Sequence, residues 1–139
     1  VLLAVGLGRA CAIAERDLDD NIAHFKAMRD RLHEGLARAL GDEAVRLNGP
    51  LEKRLPNTLN VSFRGVEANT LLSEIAEEVA ASAGAACHAD EVDVSTVIQA
   101  MQVPVEWAMG TVRFSVGRGT TAEQIDRTVE VVAEAVRRL

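Results

Sequence analysis

The sequence predicts an α+β fold in which helices pack on one face of a short, antiparallel-type sheet of two to three strands. Apolar residues recur at three- and four-residue steps in the longer segments, as in amphipathic helices, and alternate in a few short segments, as in half-buried strands. Because the helical segments outnumber the strands, we expect them to stack on one face of a small sheet. The 139 residues, 48% of them hydrophobic, fit one globular domain with its own core.

The N-terminal part of the chain has the clearest helical periodicity. Residues 17–40 carry one apolar stripe, start with acidic side chains that suit the positive end of a helix, and are followed by Gly41, which is placed to end it. Residues 1–14 are apolar and rich in small side chains, which predicts a buried, closely packed helix. The stripe of the second helix consists of Leu18, Ile22, Phe25, Met28, Leu32 and Leu36.

Three more helices follow. Helical spacing returns over residues 66–79, and a short helix is predicted around 94–101, before Pro104 breaks the chain. Thr120 and Glu123 have the spacing of a capping box, which predicts the start of the last helix. The buried stripe of that helix is predicted to be Ile125, Val129, Val132 and Val136.

Short strands are predicted at residues 44–48, 58–64 and 111–116. Successive side chains of a strand point to opposite faces of the sheet. Arg113 is therefore expected to face away from the side on which its neighbour Phe114 lies.

The composition excludes several classes of function. A net charge of −6, no run of Lys or Arg and only 3% aromatic residues argue against nucleic-acid binding. No stretch is long enough for a membrane helix, so no membrane association is expected. Two cysteines without a CxxC pair favour free thiols in a reducing compartment, which we take to be the cytoplasm.

The stretch SAGAACHAD, residues 82–90, surrounds Cys87 with side chains too small to bury its sulfur. A buried cysteine normally behaves as an inert apolar residue, but small neighbours are typical of an open loop that a reactant can approach. His88 would favour the reactive thiolate if protonated, and is otherwise a solvated loop residue. The residues alone leave both interpretations of Cys87 open.

Metal binding has little support in the sequence. A zinc site formed by Cys87, His88, Asp90 and Asp93 would match no established ligand spacing, so no metal is expected. His24 and His33 are too far apart to be a helical metal pair and are predicted to be solvated or capping residues.

Arg113 is the second candidate site residue. An arginine on a strand is usually a surface charge, but its planar guanidinium is also suited to binding a carboxylate through two parallel hydrogen bonds. Arg118, which follows the strand between two glycines, is a weaker candidate for the same role.

Three segments together resemble the C-terminal region of cysteine desulfurases: RLPNTLNVSF, SAGAACHAD and VRFSVGRGTTAEQID. These enzymes belong to the class V aminotransferase group, which uses pyridoxal phosphate (PLP), and selenocysteine lyases are close relatives. The resemblance covers essentially the whole chain, and GAACH is similar to selenocysteine lyases in particular.

The resemblance implies a function and a place for each candidate residue. Sulfur or selenium would be released from L-cysteine or L-selenocysteine to give L-alanine, with Cys87 as the nucleophile that takes up sulfur as a persulfide. Arg113 would hold the substrate carboxylate. The resemblance further implies a homodimer that passes sulfur to an acceptor protein, as in iron–sulfur cluster assembly, on the fold of the small domain of a fold-type I PLP enzyme.

The chain departs from the family in one respect. PLP chemistry needs a lysine, and Lys26 and Lys53 are the only lysines in the sequence, neither in the family's lysine motif. We therefore expect residues 1–139 to be a C-terminal small domain, inactive and free of PLP by itself, with the large PLP-binding domain upstream. Two alternatives remain: a non-catalytic interaction module that binds a partner through its first helix, and the small domain of another class V aminotransferase.

Overall fold

The computed structural model describes residues 1–83 and 94–139, which form six helices and four strands. The helices are α1 (Leu2–Arg16), α2 (Leu18–Leu40), α3 (Ala68–Ile75), α4 (Thr96–Ala100), α5 (Val105–Ala108) and α6 (Ala122–Arg138). The strands are β1 (Val45–Leu47), β2 (Thr58–Phe63), β3 (Ser82–Ala83) and β4 (Thr111–Ser115). No helix within these two ranges is long and apolar enough to cross a membrane.

The four strands form one sheet in the order β1-β2-β4-β3, and all neighbouring strands are antiparallel. The predicted α+β class with an antiparallel sheet is confirmed, but the predicted number of strands, two to three, is wrong. The missed strand is β3, which pairs with β4 through only two residues. A strand of two small side chains is too short to produce an alternating pattern.

The apolar face of the sheet carries the core, and α2, α3 and α6 cover it. In β2 and β4 buried apolar residues alternate with polar ones, which confirms the predicted strand periodicity. The residues that β1, β2 and β4 bury on this face are Val45, Leu59, Val61, Phe63, Val112 and Phe114. Leu32 and Leu36 of α2 and Ile125 and Val132 of α6 pack against them.

The helix α1 was predicted to be buried, and this is wrong. None of its residues is buried, and Leu2 and Leu3 are 85% and 88% exposed. The beginning of the α2 stripe is also open, with Leu18 53% and Ile22 41% exposed. The apolar composition of α1 predicts a helix that is packed against other residues, but no described residue covers it.

The ends of the helices were predicted more accurately. Gly41 ends α2 with a φ of +84°, and its N–H donates to the carbonyl of Ala37. The capping box of α6 lies one residue later than predicted, because Thr121 pairs reciprocally with Gln124. The hydroxyl of Thr120 instead accepts a hydrogen bond from the backbone N–H of Gly117, which closes the turn after β4.

A second, smaller apolar cluster forms around α4 and α5. Ile98, Val103 and Ala108 are its buried members, with Val94 and Trp107 packed against them. The helix α5, which was not predicted, begins directly after Pro104, which is its N-cap. The chain then enters β4 at Gly110.

We predict that Gly110→Ala strongly destabilises the fold. A Cβ at this position would lie 2.1 Å from the carbonyl oxygen of Phe63 and 2.9 Å from that of Val66, both backbone atoms that cannot turn aside. A clash of this kind costs about 1–3 kcal/mol or more in the free energy of unfolding, measurable by urea denaturation. The control is Gly117→Ala, whose Cβ would meet nothing within 4 Å. Equal stability of the two variants would contradict this packing.

Candidate functional site

Arg113 lies in the middle of the sheet face opposite the helices. Its side chain is exposed, while those of Val112 and Phe114 are buried on the other face, which confirms the predicted orientation. Directly opposite Arg113 are Asn60 on β2 and Ser82 on β3. No carboxylate of the described residues forms an ion pair with the guanidinium. Within residues 1–83 and 94–139, nothing therefore occupies the two hydrogen-bonding edges of this guanidinium, which could bind an anion.

The same face carries a network of neutral polar side chains, which we call the polar network: Asn48, Asn60, Ser62 and Thr111. Ser62 and Thr111 are 0% and 3% exposed, and their hydroxyl oxygens lie 2.8 Å apart. The side-chain amide of Asn48 donates to Oδ1 of Asn60 at 2.7 Å and to Oγ of Ser62 at 2.8 Å. The buried Oδ1 of Asn48 has no partner among the described residues, so the network is satisfied only in part. The hydrogen bond from Asn48 holds the Oδ1 side of the Asn60 amide on the sheet face that carries Arg113.

A cavity of about 280 Å³ adjoins this face. The sheet contributes Thr58, Asn60 and the neighbouring Asn48. Val97 and Ile98 of α4, with Met101 directly after this helix, form another part of the lining. Ile98 is 4% exposed, so α4 is anchored in this position by its second apolar cluster. The helix that begins three residues after position 93 therefore lines the same cavity as Asn60.

The loop from Gly49 to Pro56 closes another side of this cavity and is held by two arginines. Arg29, 6% exposed, donates to the carbonyl of Leu55 at 3.1 Å. Arg54 donates to the carbonyls of Asn48, Gly49 and Pro50 at 3.2, 3.0 and 2.8 Å. Burial lowers the pKa of Arg54 from its usual value, and the charge of Arg29 adds to this effect.

These two arginines were not identified from the sequence. Arg29 lies three residues before Leu32 and four after Phe25, so it occupies a position of the apolar stripe of α2. A charged residue at such a position indicates a buried partner, here a loop carbonyl. His33, predicted to be solvated or capping, is half-buried, and burial, together with the charge of Arg54, lowers its pKa. His24 is also half-buried, and its Nε2 has no partner among the described residues.

Cys87 and the residues considered with it as zinc ligands, His88, Asp90 and Asp93, lie outside the described residues. The structure describes the residues on either side of the segment that contains Cys87. Ser82, opposite Arg113, precedes Cys87 by five positions, and α4 on the other side lines the cavity next to Asn60. Both ends of the segment that contains Cys87 thus adjoin the face that carries Arg113.

Arg118 does not belong to this arrangement. It is exposed beyond the end of β4 and lines a groove with Ala10 and Ile13 of α1 and with Phe25 of α2. The groove lies beside the exposed helix α1, whereas Arg113 lies in the sheet, directly opposite Asn60 and Ser82.

The two lysines of the sequence, the residue type that PLP chemistry requires, both have exposed side chains. Nζ of Lys26 is paired with the carboxylate of Asp30 at 2.8 Å on the exposed side of α2, and Lys53 is in an exposed loop at the rim of the cavity. Neither lysine lies beside Arg113. Within residues 1–83 and 94–139, no three His, Cys, Asp or Glu side chains are grouped so that they could hold a metal ion.

Comparison with known proteins agrees with this architecture. The family described as Aminotransferase class-V matches residues 1–128. Cysteine desulfurase IscS of Colwellia psychrerythraea is 40% identical over 97% of this chain, and the enzyme of the same name from Vibrio atlanticus is 41% identical over the same share. The chain spans 32% of the length of each of these relatives.

Two solved structures have the same fold. A NifS-like protein with 29% sequence identity superposes with a TM-score of 0.77 over 97% of this chain and 33% of its own. A NifS-like protein from Rickettsia africae, 22% identical, has a TM-score of 0.79 over 96% of this chain and 34% of its own, and supports the fold alone. The chain belongs to the class V aminotransferase family.

Proposed function

We propose that this chain is the C-terminal small domain of a PLP-dependent cysteine desulfurase, with residues 1–139 forming that domain. The relatives named cysteine desulfurase support the activity. The observation that carries the proposal is the pairing of Ser82 with Arg113, which places the beginning of the Cys87 segment next to a guanidinium that has no ion-pair partner in the described part of the chain. The five residue-to-residue steps from Ser82 to Cys87 span at most about 18 Å when fully extended.

Arg113 is proposed to bind the carboxylate of the substrate. Its position in the centre of a four-stranded sheet fixes the backbone from which the guanidinium extends, and neighbouring strands hold that backbone on both sides. A fixed guanidinium binds a carboxylate through two parallel hydrogen bonds and so orients the rest of the amino acid.

Cys87 is proposed to receive the sulfur atom of the substrate. The balanced change is L-cysteine plus the Cys87 thiol giving L-alanine plus the Cys87 persulfide: the carbon–sulfur bond of the substrate breaks, a sulfur–sulfur bond forms, and no outside oxidant is needed. The thiolate is the reactive form of a cysteine, so a site of this kind must lower the thiol pKa towards neutrality. A neighbouring cation such as a protonated His88 would do so.

The large domain and PLP are proposed to lie in another part of a longer chain. The relatives are about three times as long as this chain. The apolar side chains at the beginning of the chain are 65–107% exposed and suit an apolar partner surface: Val1, and Leu2, Leu3, Val5 and Leu7 of α1. PLP bound there would supply the electron sink for the chemistry of the amino acid.

The remaining assignments follow the same proposal. The substrate is a small amino acid, L-cysteine or L-selenocysteine, and the persulfide passes to a sulfur-acceptor protein. The full-length enzyme is proposed to be a cytoplasmic homodimer that supplies iron–sulfur cluster assembly.

The role of Cys87 predicts the behaviour of Cys87→Ala in the full-length enzyme. With L-cysteine, this variant should form no persulfide, seen as one added sulfur atom by mass spectrometry, while PLP absorbance stays unchanged. Cys11→Ala is the matched control, because Cys11 is exposed on α1, away from the sheet. Normal sulfur release by Cys87→Ala would rule out this residue as the nucleophile.

The role of Arg113 predicts the effect of Arg113→Lys. Lysine keeps the charge but loses the two parallel hydrogen bonds, so KM for L-cysteine should rise by roughly tenfold to a hundredfold. Arg118→Lys, the same change at the other candidate, should leave KM within about twofold. Arg118 lies beyond the end of β4 and not opposite Asn60 and Ser82. A larger rise in KM for Arg118→Lys than for Arg113→Lys would show that Arg113 is not the residue that binds the carboxylate.

A further inference from the structure

We propose that Asn60 is a second substrate-binding residue, whose side-chain amide donates a hydrogen bond to the carboxylate that Arg113 binds. The inference rests on the proposed function, because it concerns the same substrate. It adds a neutral hydrogen-bond donor from β2 to the charged donor from β4.

The orientation of the Asn60 amide is the first step. Its Oδ1 accepts the hydrogen bond from Nδ2 of Asn48 at 2.7 Å. Asn48 is 7% exposed and is itself held by Oγ of Ser62. Because an amide group is planar, Nδ2 of Asn60 points away from the Oδ1 that Asn48 occupies.

Arg113 is the residue of β4 directly opposite. Side chains of directly opposed residues leave the sheet about 4.5–5.5 Å apart at Cβ. Asn60 Nδ2 has no acceptor among the described side chains, and Arg113 offers only donors. Two neighbouring groups that can only donate do not bond to each other, so a negatively charged acceptor between them satisfies both.

A carboxylate fits this pair better than a single-atom anion. Its two oxygens offer about four acceptor positions, enough for the guanidinium and for one amide N–H. The nearby cavity wall of Val97, Ile98 and Met101 is apolar, which reduces competition from water for these hydrogen bonds. Hydrogen bonds from two strands would also make the site more selective for a carboxylate than Arg113 alone.

Asn60→Asp is the sharpest test. Aspartate has the shape of asparagine and keeps an oxygen to accept from Asn48, so the polar network is preserved. It replaces only the N–H₂ group by a negatively charged oxygen, which repels the substrate and competes for the guanidinium. In the full-length enzyme we expect KM for L-cysteine to rise at least thirtyfold, on the order set by losing a charged hydrogen bond, with a smaller change in kcat.

A binding measurement separates this role from a structural one. Propionate has a carboxylate but no amine or thiol, and its inhibition constant should rise in Asn60→Asp in parallel with KM. The matched control is Asn69→Asp, the same substitution at an exposed position on α3. It should leave both constants within about twofold. Asn60→Ala, which only removes the donor, should raise both by about tenfold and decides the question if the aspartate variant does not fold.

The outcomes are distinguishable from those of the proposed function. If Arg113→Lys weakens L-cysteine and propionate binding but folded Asn60→Asp or Asn60→Ala leaves both unchanged, Arg113 acts alone and the inference is overturned. If neither arginine nor asparagine variants change KM, the proposed substrate site itself is wrong. Parallel increases in both constants at both positions support the pair.

Discussion

The antiparallel register of β2, β4 and β3 is the constraint on which the site depends. It places Leu59 opposite Phe114 on the helix-covered face and Asn60 opposite Arg113 on the other. A slip by one residue would exchange the two faces, bringing the guanidinium into the core and the phenylalanine into water. The free energy of burying the apolar face therefore holds Arg113 where an anion can reach it, so the position of the site is a consequence of core packing.

The two faces of the sheet are stabilised by different physical effects. Apolar burial against α2, α3 and α6 is not directional, and it determines which face points inward. On the other face, hydrogen bonds among Asn48, Ser62 and Thr111 are directional, and they determine how the side chains point. Gly110 allows β4 to enter the sheet against the carbonyl of Phe63. The first effect selects the location of the site, and the second sets the orientation of its donors.

Much of this arrangement follows from local sequence patterns. Alternation in TVRFSV places Arg113 on the polar face, and the long stripe of 17–40 predicts α2. Features that depend on distant partners do not follow from them. The burial of α1 depends on what covers it, the two-residue β3 forms only because β4 pairs with it, and the anchoring by Arg54 depends on carbonyls that only the folded loop brings together. Whether Cys87 reaches Arg113 stays a prediction, since it lies outside the described residues.

The central claim is that the carboxylate of the amino acid lies on the polar face between β2 and β4. A crystal structure of the full-length enzyme with its proposed product L-alanine bound would test it most directly. We predict that both carboxylate oxygens lie within about 3 Å of the Arg113 guanidinium, and that one also accepts from Nδ2 of Asn60. A carboxylate bound at Arg118, or held only by residues outside this chain while Arg113 faces solvent, would contradict the account.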